Sequence, residues 1–439
     1  MTGTLRTVAL LGALTLAACN QAPPTPNPPG TGPNPSPVHE PVLDKELMIT
    51  DLSVVNDARA QGPDGPWSFG GLIKAMAGTS DPGTFVFEWL KLWETGQTVN
   101  TFGVKPRTNI RSLVIEPWKV RDGKSGIADA QWTPNLANAP FRLLAIVDRL
   151  DLSASDTISV RHAGEGRFVF GVLNGANDPI PFTVIFEYEQ LATDRAALRS
   201  WAQEWHALGG QSFGPAYNSA LQAITDKFSG RDRAPAKPNG SALNQIRTNE
   251  IALVLPNEVQ RGWELREFQI VGGKLQEVST KQTPDNSFQN TATLAKFIND
   301  TEADILDRHF DVPVQFAGAA FLAGSSIAAP PANGFFWRAP GVSRNEARHI
   351  VAFTSCNGCH HLETGTTSFL HVANRQQAEK AELSGFLTGI QNVPDPVDGS
   401  IKRNFNDLLA RATILKTLVS EVPPIQLTGI LRDRRSRVH

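Results

Sequence analysis

FRLLAIVDRLDL, residues 141–152, is the stretch that decides the fold class of this chain. It is rich in apolar and β-branched side chains, and two runs of similar character follow at residues 167–173 and 182–188. Gly, Asn, Asp or Pro bounds each run, which is typical of strands that end in turns. The three segments are therefore predicted to be strands of one sheet.

Further segments along the chain come in groups of one type. Leu198, Trp201 and Trp205 recur at spacings of three and four, which indicates the buried face of a helix. Gly272-Gly273 is a typical hairpin turn between two strands. Grouped strands and helices favour an α+β domain over a doubly wound sheet. The predicted segments are helices at 193–207 and 216–228, strands at 246–254, 263–271 and 274–280, and a helix at 291–310.

The last quarter of the chain has a helical pattern throughout. Helices are predicted at residues 344–361, 376–385 and 404–419, from apolar stripes and capping residues. The globular part of the chain is too long for one ordinary core. We therefore expect two domains, a large α+β domain of unknown function at 42–340 and a mainly α-helical domain at 341–439.

The first 41 residues predict export and anchoring rather than folding. Residues 1–18 contain a short apolar run that ends in small residues, as a cleaved signal peptide does. The sequence Leu-Ala-Ala-Cys that ends at Cys19 resembles the lipobox of bacterial lipoproteins, which implies that Cys19 carries the lipid. Residues 19–41 are rich in Pro, Asn, Gly and Thr, so they are predicted to form an extended tether.

Composition narrows the classes of partner. The chain has 43 acidic and 41 basic residues, well interspersed, so nothing in its charge predicts a nucleic-acid partner. The four arginines between 432 and 437 are interpreted as a solvated tail. Phosphate-binding loops, H-E-x-x-H and G-x-S-x-G patterns do not occur in the sequence, so the common signatures of nucleotide, zinc-protease and serine-hydrolase chemistry do not support an enzyme class.

Cys356-Asn-Gly-Cys359-His360 is the motif that carries a specific chemistry. The C-x-x-C-H spacing is that of covalent c-type haem attachment, in which two thiols bond the haem and the histidine binds its iron. A helix with this motif followed by further helices resembles a small c-type cytochrome domain. The resemblance implies that Cys356 and Cys359 attach a haem c and that His360 is the proximal iron ligand.

The chain departs from that family at the second axial ligand. Its methionines are Met1, Met48 and Met76, so no methionine follows the motif. Among the nearby histidines, His349 and His361 are badly placed on the predicted helix to reach the opposite face of a porphyrin. His371 follows a loop long enough to fold back, and it is the candidate distal ligand.

Two other chemistries could use the same residues. Cys356 and Cys359 could form a disulfide, either redox-active or structural. Alternatively, Cys356, Cys359 and His371, with His361, offer a nitrogen and sulfur ligand set for zinc. The histidine directly after the second cysteine favours haem, because only haem attachment requires it there.

The large domain offers weaker candidates. His162 and Glu165 lie in a glycine-containing turn where their side chains could converge, although a polar hairpin turn explains the same residues. Asp148, Arg149 and Asp151 are interpreted as a local ion-pair cluster at a sheet edge.

Taken together, these patterns predict an extracytoplasmic lipoprotein, anchored in a bacterial membrane through Cys19. It would carry one haem c and transfer electrons with an unknown redox partner protein. The alternative is a non-catalytic surface lipoprotein whose α+β domain binds a ligand and whose cysteines form a structural disulfide.

Overall fold

The structure is a computed structural model that describes residues 39–155, 160–253, 262–328, 334–366 and 369–420. Cys19, the signal segment and most of the predicted tether lie outside the described residues, as does the arginine cluster at 432–437. Among the described residues, no helix has both the length and the hydrophobicity that crossing a bilayer requires.

A large antiparallel sheet forms the centre of the molecule. Its strand order is β1-β4-β7-β8-β9-β10-β11, and β14 pairs with the start of β10. The remaining strands form four separate two-stranded hairpins. The strands are β1 (Met48–Ile49), β2 (Gln97–Val99), β3 (Phe102–Val104), β4 (Phe141–Arg149), β5 (Ala154–Ser155), β6 (Val160–His162), β7 (Glu165–Leu173), β8 (Pro179–Glu189), β9 (Leu243–Glu250), β10 (Trp263–Val271), β11 (Lys274–Val278), β12 (Gln315–Phe316), β13 (Ala319–Ala320), β14 (Ser326–Ala328), β15 (Ile390–Pro394) and β16 (Lys402–Phe405).

Helices surround this sheet and supply most of the connections. The α-helices are α1 (Leu43–Glu46), α2 (Leu52–Val55), α3 (Phe69–Met76), α4 (Pro82–Lys91), α5 (Glu116–Arg121), α6 (Arg195–Ala207), α7 (Pro215–Ser229), α8 (Ala292–Asp300), α9 (Glu302–Leu306), α10 (Asn345–Thr354), α11 (Cys356–Cys359), α12 (Gly385–Thr388) and α13 (Asp407–Val419). A π-helical turn, Arg111–Ile115, leads into α5, and short 3-10 turns connect several other elements.

The two faces of the sheet differ in chemistry. One face is aromatic, and the Phe69 ring of α3 lies 5.7 Å from Phe170 of β7 and 5.5 Å from Phe186 of β8. The opposite face carries charged and polar side chains such as Arg167 and Arg247, both almost fully buried. All nine residues of β7 are buried, so elements cover the sheet on both faces.

The predicted α+β class and the grouping of strands are confirmed. β10 has the predicted bounds, and Gly272 and Gly273 form its turn with φ of 58° and 81°. Such positive φ values suit glycine, which has no Cβ to clash with the backbone. The predicted strands at 141–152, 167–173 and 182–188 correspond to β4, β7 and β8, which are hydrogen-bonded neighbours in the sheet.

Several helix predictions were too long. The predicted helix at 291–310 divides at Thr301 into α8 and α9, and the predicted helix at 344–361 divides at Ser355 into α10 and α11. In place of the predicted helix at 376–385, residues 376–384 are not helical, and the short helix α12 begins at Gly385. The last helix begins at Asp407 because residues 402–405 pair as a strand with β15.

The described residues between 39 and 420 belong to one compact unit. Phe353, Cys359 and Leu415 belong to the same apolar cluster as Phe168 and Phe186 of the sheet, so the C-terminal segment packs on the body of the chain. The predicted division at residue 340 stays a prediction.

Candidate functional site

The motif lies on a separate single-turn helix, α11. Ser355, which precedes Cys356, has extended backbone angles, φ −79° and ψ 147°, and its Oγ accepts a hydrogen bond from Gly358 N–H. A buried Trp337 donates its indole N–H to both Ser355 Oγ and Asn357 Oδ1, at 2.8 and 2.9 Å. The serine cap explains why the predicted continuous helix ends there, since an N-cap residue leaves the helical conformation.

Gly358 sits where no larger residue fits. A Cβ at this position would lie 2.0 Å from the carbonyl oxygen of Ala352. The C-x-x-C-H pattern leaves this position open, so the requirement for glycine comes from the close approach of α10.

Both cysteines are enclosed by the fold. Cys356 is 0% exposed and Cys359 is 1% exposed, and no disulfide joins them. Cys356 N–H donates to Thr283 Oγ1 at 3.0 Å, which ties α11 to the segment after β11. Burial raises the pKa of Cys356 to about 11, so at neutral pH this side chain is a thiol rather than a thiolate.

His360 is held in one orientation. Its Nδ1 lies 2.6 Å from the carbonyl oxygen of Phe369, and its ring stacks on Trp263 at a centroid distance of 5.0 Å. Burial lowers the pKa of His360 to about 4, so the ring is neutral at pH 7. A neutral imidazole that donates from Nδ1 has its lone pair on Nε2, the arrangement that metal-binding histidines use.

The ring of His371 lies beside that of His360. The two ring centroids are 4.2 Å apart, and His371 Nε2 lies 3.5 Å from Cys359 Sγ. Ser384 Oγ lies 2.8 Å from the other nitrogen, Nδ1. The chain thus brings Cys359, His360 and His371 into one cluster.

The other two histidines have local roles. His349 Nδ1 lies 2.5 Å from Glu363 Oε1, so this histidine forms a local hydrogen bond. His361 Nδ1 accepts the backbone N–H groups of Leu362 and Phe335. That nitrogen is therefore committed to the backbone.

The described residues do not assemble the motif into a three-ligand metal site. Two other groups bring three potential ligand atoms within 4.8 Å of one another, namely His39, Glu46 and His206, and His349, Glu363 and Asp395. In the second group, Arg348 already pairs with both carboxylates. The zinc alternative gains no support from either group.

A narrow slot lies between the polar face of the sheet and the C-terminal segment. About 540 Å³ of the slot is empty of atoms, but part of that space is open solvent. The cavity in which the centre of a water molecule fits has a volume of about 70 Å³. Such proportions indicate a thin gap rather than a round cavity. The slot is lined by Met48, Val147, Arg149, Arg167, Val169, Thr183, Ile185, Asn249, His360, His371, Val372, Leu387 and Arg411.

Three guanidinium groups line this slot. Arg149 is paired with Asp151 through two hydrogen bonds of 2.9 Å, and Arg167 pairs with Glu165 at 2.6 Å. Arg411 of α13 contacts Asp407 through Nη2, but its Nε and Nη1 find no hydrogen-bond acceptor among the described residues. Burial and the nearby charge of Arg149 lower the pKa of Arg411 to about 10. A buried guanidinium with two unsatisfied N–H groups indicates a place for an anion.

The motif residues match a c-type haem in identity, but neither cysteine lines the slot. With a volume of about 70 Å³, the slot is far smaller than the range of about 300–1,000 Å³ that ligand sites occupy. Binding a haem here would therefore require the slot to widen. Arg411 offers donors to the carboxylates of a haem.

His371 fits less well as the distal ligand. Two imidazoles on opposite sides of one iron would have centroids about 6 Å apart, given metal–nitrogen bonds of about 2 Å. The observed separation is 4.2 Å. Coordination by both rings would therefore require His371 to move away from His360.

The weaker sequence candidates also have defined places. His162 and Glu165 both line a second, larger cleft on the polar face of the sheet. The predicted ion pair between Arg149 and Asp151 is confirmed, but it lies in the interior rather than at a sheet edge, because β4 has β1 and β7 on its two sides. Burial raises the pKa of Asp148 well above its usual value.

Sequence reasoning missed Arg411 and Trp263. An arginine on an amphipathic helix is ordinarily a solvated residue, and the one available signal was its position four residues after Asp407. Trp263 opens a predicted strand, where an aromatic residue needs no function. No protein-family model, no curated protein and no solved structure matches the chain, so the comparisons assign no family to it.

Proposed function

We propose that this chain is an extracytoplasmic lipoprotein, anchored through Cys19, that carries one covalent haem c and transfers single electrons. The proposal rests on the orientation of His360, which directly follows the second cysteine in the sequence. Its Nδ1 is fixed on Phe369 O, and its side chain lines a thin slot. Residues 341–439 would then be the haem-bearing part of the chain.

The proposal assigns roles to the motif residues and to several residues that line the slot. Cys356 and Cys359 would hold the haem through thioether bonds, and His360 would bind its iron through Nε2. When bound, the haem supplies reversible one-electron redox chemistry at its iron. Val147, Val169 and Ile185 line the slot and would exclude water from the ring, and Arg411 would bind one of its carboxylates.

Burial of the site favours electron transfer over chemistry on a bulky substrate. His360 is 3% exposed, and Trp263 covers one face of its ring. A partner protein could exchange electrons with such a centre without direct access to the iron. The identity of that partner is open.

The decisive experiment is expression of the complete chain, with its signal segment, in a bacterial host that matures c-type cytochromes. We expect a Soret band and a mass increase of one haem that survives denaturation, because thioether bonds are covalent. The double variant Cys356→Ala/Cys359→Ala should lose both signals. His309→Ala, a histidine outside the slot, is the matched control and should keep both.

Two other results would reject the proposal. A wild-type chain without a Soret band and lighter by two hydrogens than the reduced chain would contain a disulfide. A wild-type chain that binds one zinc ion and loses it in the double variant would contain a metal site instead. Arg411→Met tests the slot separately, since it should leave the haem attached but shift its reduction potential.

A further inference from the structure

A second cleft lies on the polar face of the sheet, and it has no part in the haem proposal. It has a volume of about 930 Å³, which is large enough for a small organic molecule. His162, Glu165 and Arg167 line it. Arg167 also lines the slot, so the cleft and the slot are neighbours on one face of the sheet.

The floor of the cleft is a network of charges that satisfy one another. Arg167 pairs with Glu165 at 2.6 Å, and Arg247 pairs with Glu187 at 2.9 Å and with Glu267 at 3.0 Å. Although burial alone would raise it, Arg167 and Arg247 hold the pKa of Glu165 well below its usual value. These groups form a fixed polar surface, since each charge is held by a partner.

The mouth of the cleft has a different character. Arg161 and Lys281 are exposed there, and neither makes an ion pair with a described carboxylate. The acidic residues nearby are engaged: Glu189 pairs with Lys237, and Asp311 accepts a hydrogen bond of 2.9 Å from Gln282. These two cations therefore add positive charge at the exposed side of the cleft, and Lys281 also helps to hold down the pKa of Glu165.

His162 adds a neutral donor between these cations. Its Nδ1 accepts the backbone N–H of Gly164 at 3.1 Å, which places the ring proton on Nε2. Burial lowers the pKa of His162, so the ring stays neutral at pH 7. His162, Arg161 and Lys281 thus all present hydrogen-bond donors.

Apolar side chains also line the cleft. Phe310 and Val312 are each 5% exposed, Leu322 is 7% exposed and Ile270 is 8% exposed. Side chains of this kind favour an apolar surface on the ligand, because burying such a surface releases it from water. The lining of the cleft therefore combines apolar side chains with hydrogen-bond donors.

We propose that this cleft binds an organic acid, a small molecule with one or more carboxylates on an apolar body. Arg161, Lys281 and His162 would hold the carboxylate, and Phe310 and Val312 would contact the body. Charged hydrogen bonds from arginine to carboxylate are strong and directional, so they would set the orientation of the ligand. The site does not depend on the haem, because none of the motif residues lines the cleft.

Calorimetric titration of the purified complete chain tests this proposal. Benzoate and phthalate serve as probes, with benzamide and phthalamide as uncharged counterparts of the same shape. We expect the acids to bind and the amides not to bind. The double variant Arg161→Gln/Lys281→Gln should weaken binding about tenfold or more, since each charged hydrogen bond makes a large contribution.

The control is Lys124→Gln/Lys402→Gln, which removes two exposed cations that do not line the cleft. It should leave the affinity for the acids within about twofold, because exposed charges far from a ligand are screened. The proposal is overturned if neither acid binds, if the amides bind equally well, or if both double variants weaken binding to the same extent. Inorganic phosphate that binds while both acids fail would also reject it.

The same titration in the Cys356→Ala/Cys359→Ala background separates the two proposals. Unchanged affinity there supports an acid site that is independent of the motif. Loss of binding in that background, while the variant stays folded, would reject that independence.

Discussion

The imidazole rings of His360 and His371 lie 4.2 Å apart, and His371 Nε2 lies 3.5 Å from Cys359 Sγ. The loop after the motif therefore brings the two rings together, but at a shorter distance than two ligands on opposite sides of one iron would have. Removal of His371 tests which role this histidine has.

We expect the haem-loaded wild type to be six-coordinate and low-spin, and His371→Ala to be high-spin and to bind carbon monoxide. Two histidine ligands should also give a lower potential than a histidine–methionine pair. Visible and magnetic circular dichroism spectra of both proteins measure the change. A wild type that is already high-spin would remove His371 from the ligand set.

Gly358→Ala should destabilise the fold by about 1–3 kcal/mol, the usual cost of forcing extra atoms into a packed site. The added Cβ would meet Ala352 O at 2.0 Å, so α10 and α11 would have to separate. Denaturant unfolding measures the effect.

Gly103→Ala is the matched control, because nothing lies within 4 Å of a Cβ added there. Its change in the free energy of unfolding should stay within about 0.5 kcal/mol. Equal effects of the two variants would mean that the contact with Ala352 is unimportant.

Glu277 should make stability depend on pH. Burial raises the pKa of Glu277 to about 8, whereas in the unfolded chain the carboxyl ionises near its ordinary pKa of 4.5. The native state therefore binds the proton more tightly, so this contribution is complete below pH 4.5 and is lost as pH rises to about 8.

Glu277→Gln should remove this dependence and raise the free energy of unfolding at pH 9 relative to the wild type, by a few kcal/mol at most. Denaturant unfolding at pH 5, 7 and 9 measures it. Glu88→Gln replaces an exposed carboxylate and should leave the wild-type slope intact. An unchanged slope in Glu277→Gln would contradict the raised pKa.

Cys19→Ala should release the protein from the membrane. The wild type should incorporate labelled palmitate and fractionate with membranes, because one or more acyl chains supply the binding energy. The variant should incorporate no label and retain its signal segment. Wild-type protein with an N-terminus other than residue 19 would contradict lipidation at Cys19.

The sheet could be predicted from sequence because its strands carry local signals. β10 has the predicted bounds since Trp263 begins a run in which apolar and polar side chains are mixed, and Gly272 ends it. The breaks at Thr301 and Ser355 could not be predicted, because each interrupts an apolar stripe that continues on both sides. Ser355 becomes a cap only through contacts with Gly358 and Trp337.

The C-x-x-C-H motif could also be recognised from the sequence, because its five residues are contiguous. The slot and the cleft could not be predicted from the sequence, because their walls come from segments far apart in the chain. Arg411 meets Arg149 and Arg167 only after α13 packs on the sheet. His162 and Lys281, on separate strands and loops, share one cleft for the same reason.

The burial of Cys356 and Cys359 also sets an order of events during biogenesis. Because 0% and 1% of their surfaces are exposed, neither cysteine can be reached by another protein once the chain has folded. If a haem is attached here, the attaching machinery must act before the chain has folded around the two cysteines. A preparation folded first without haem would then stay colourless when haem and the machinery are supplied later.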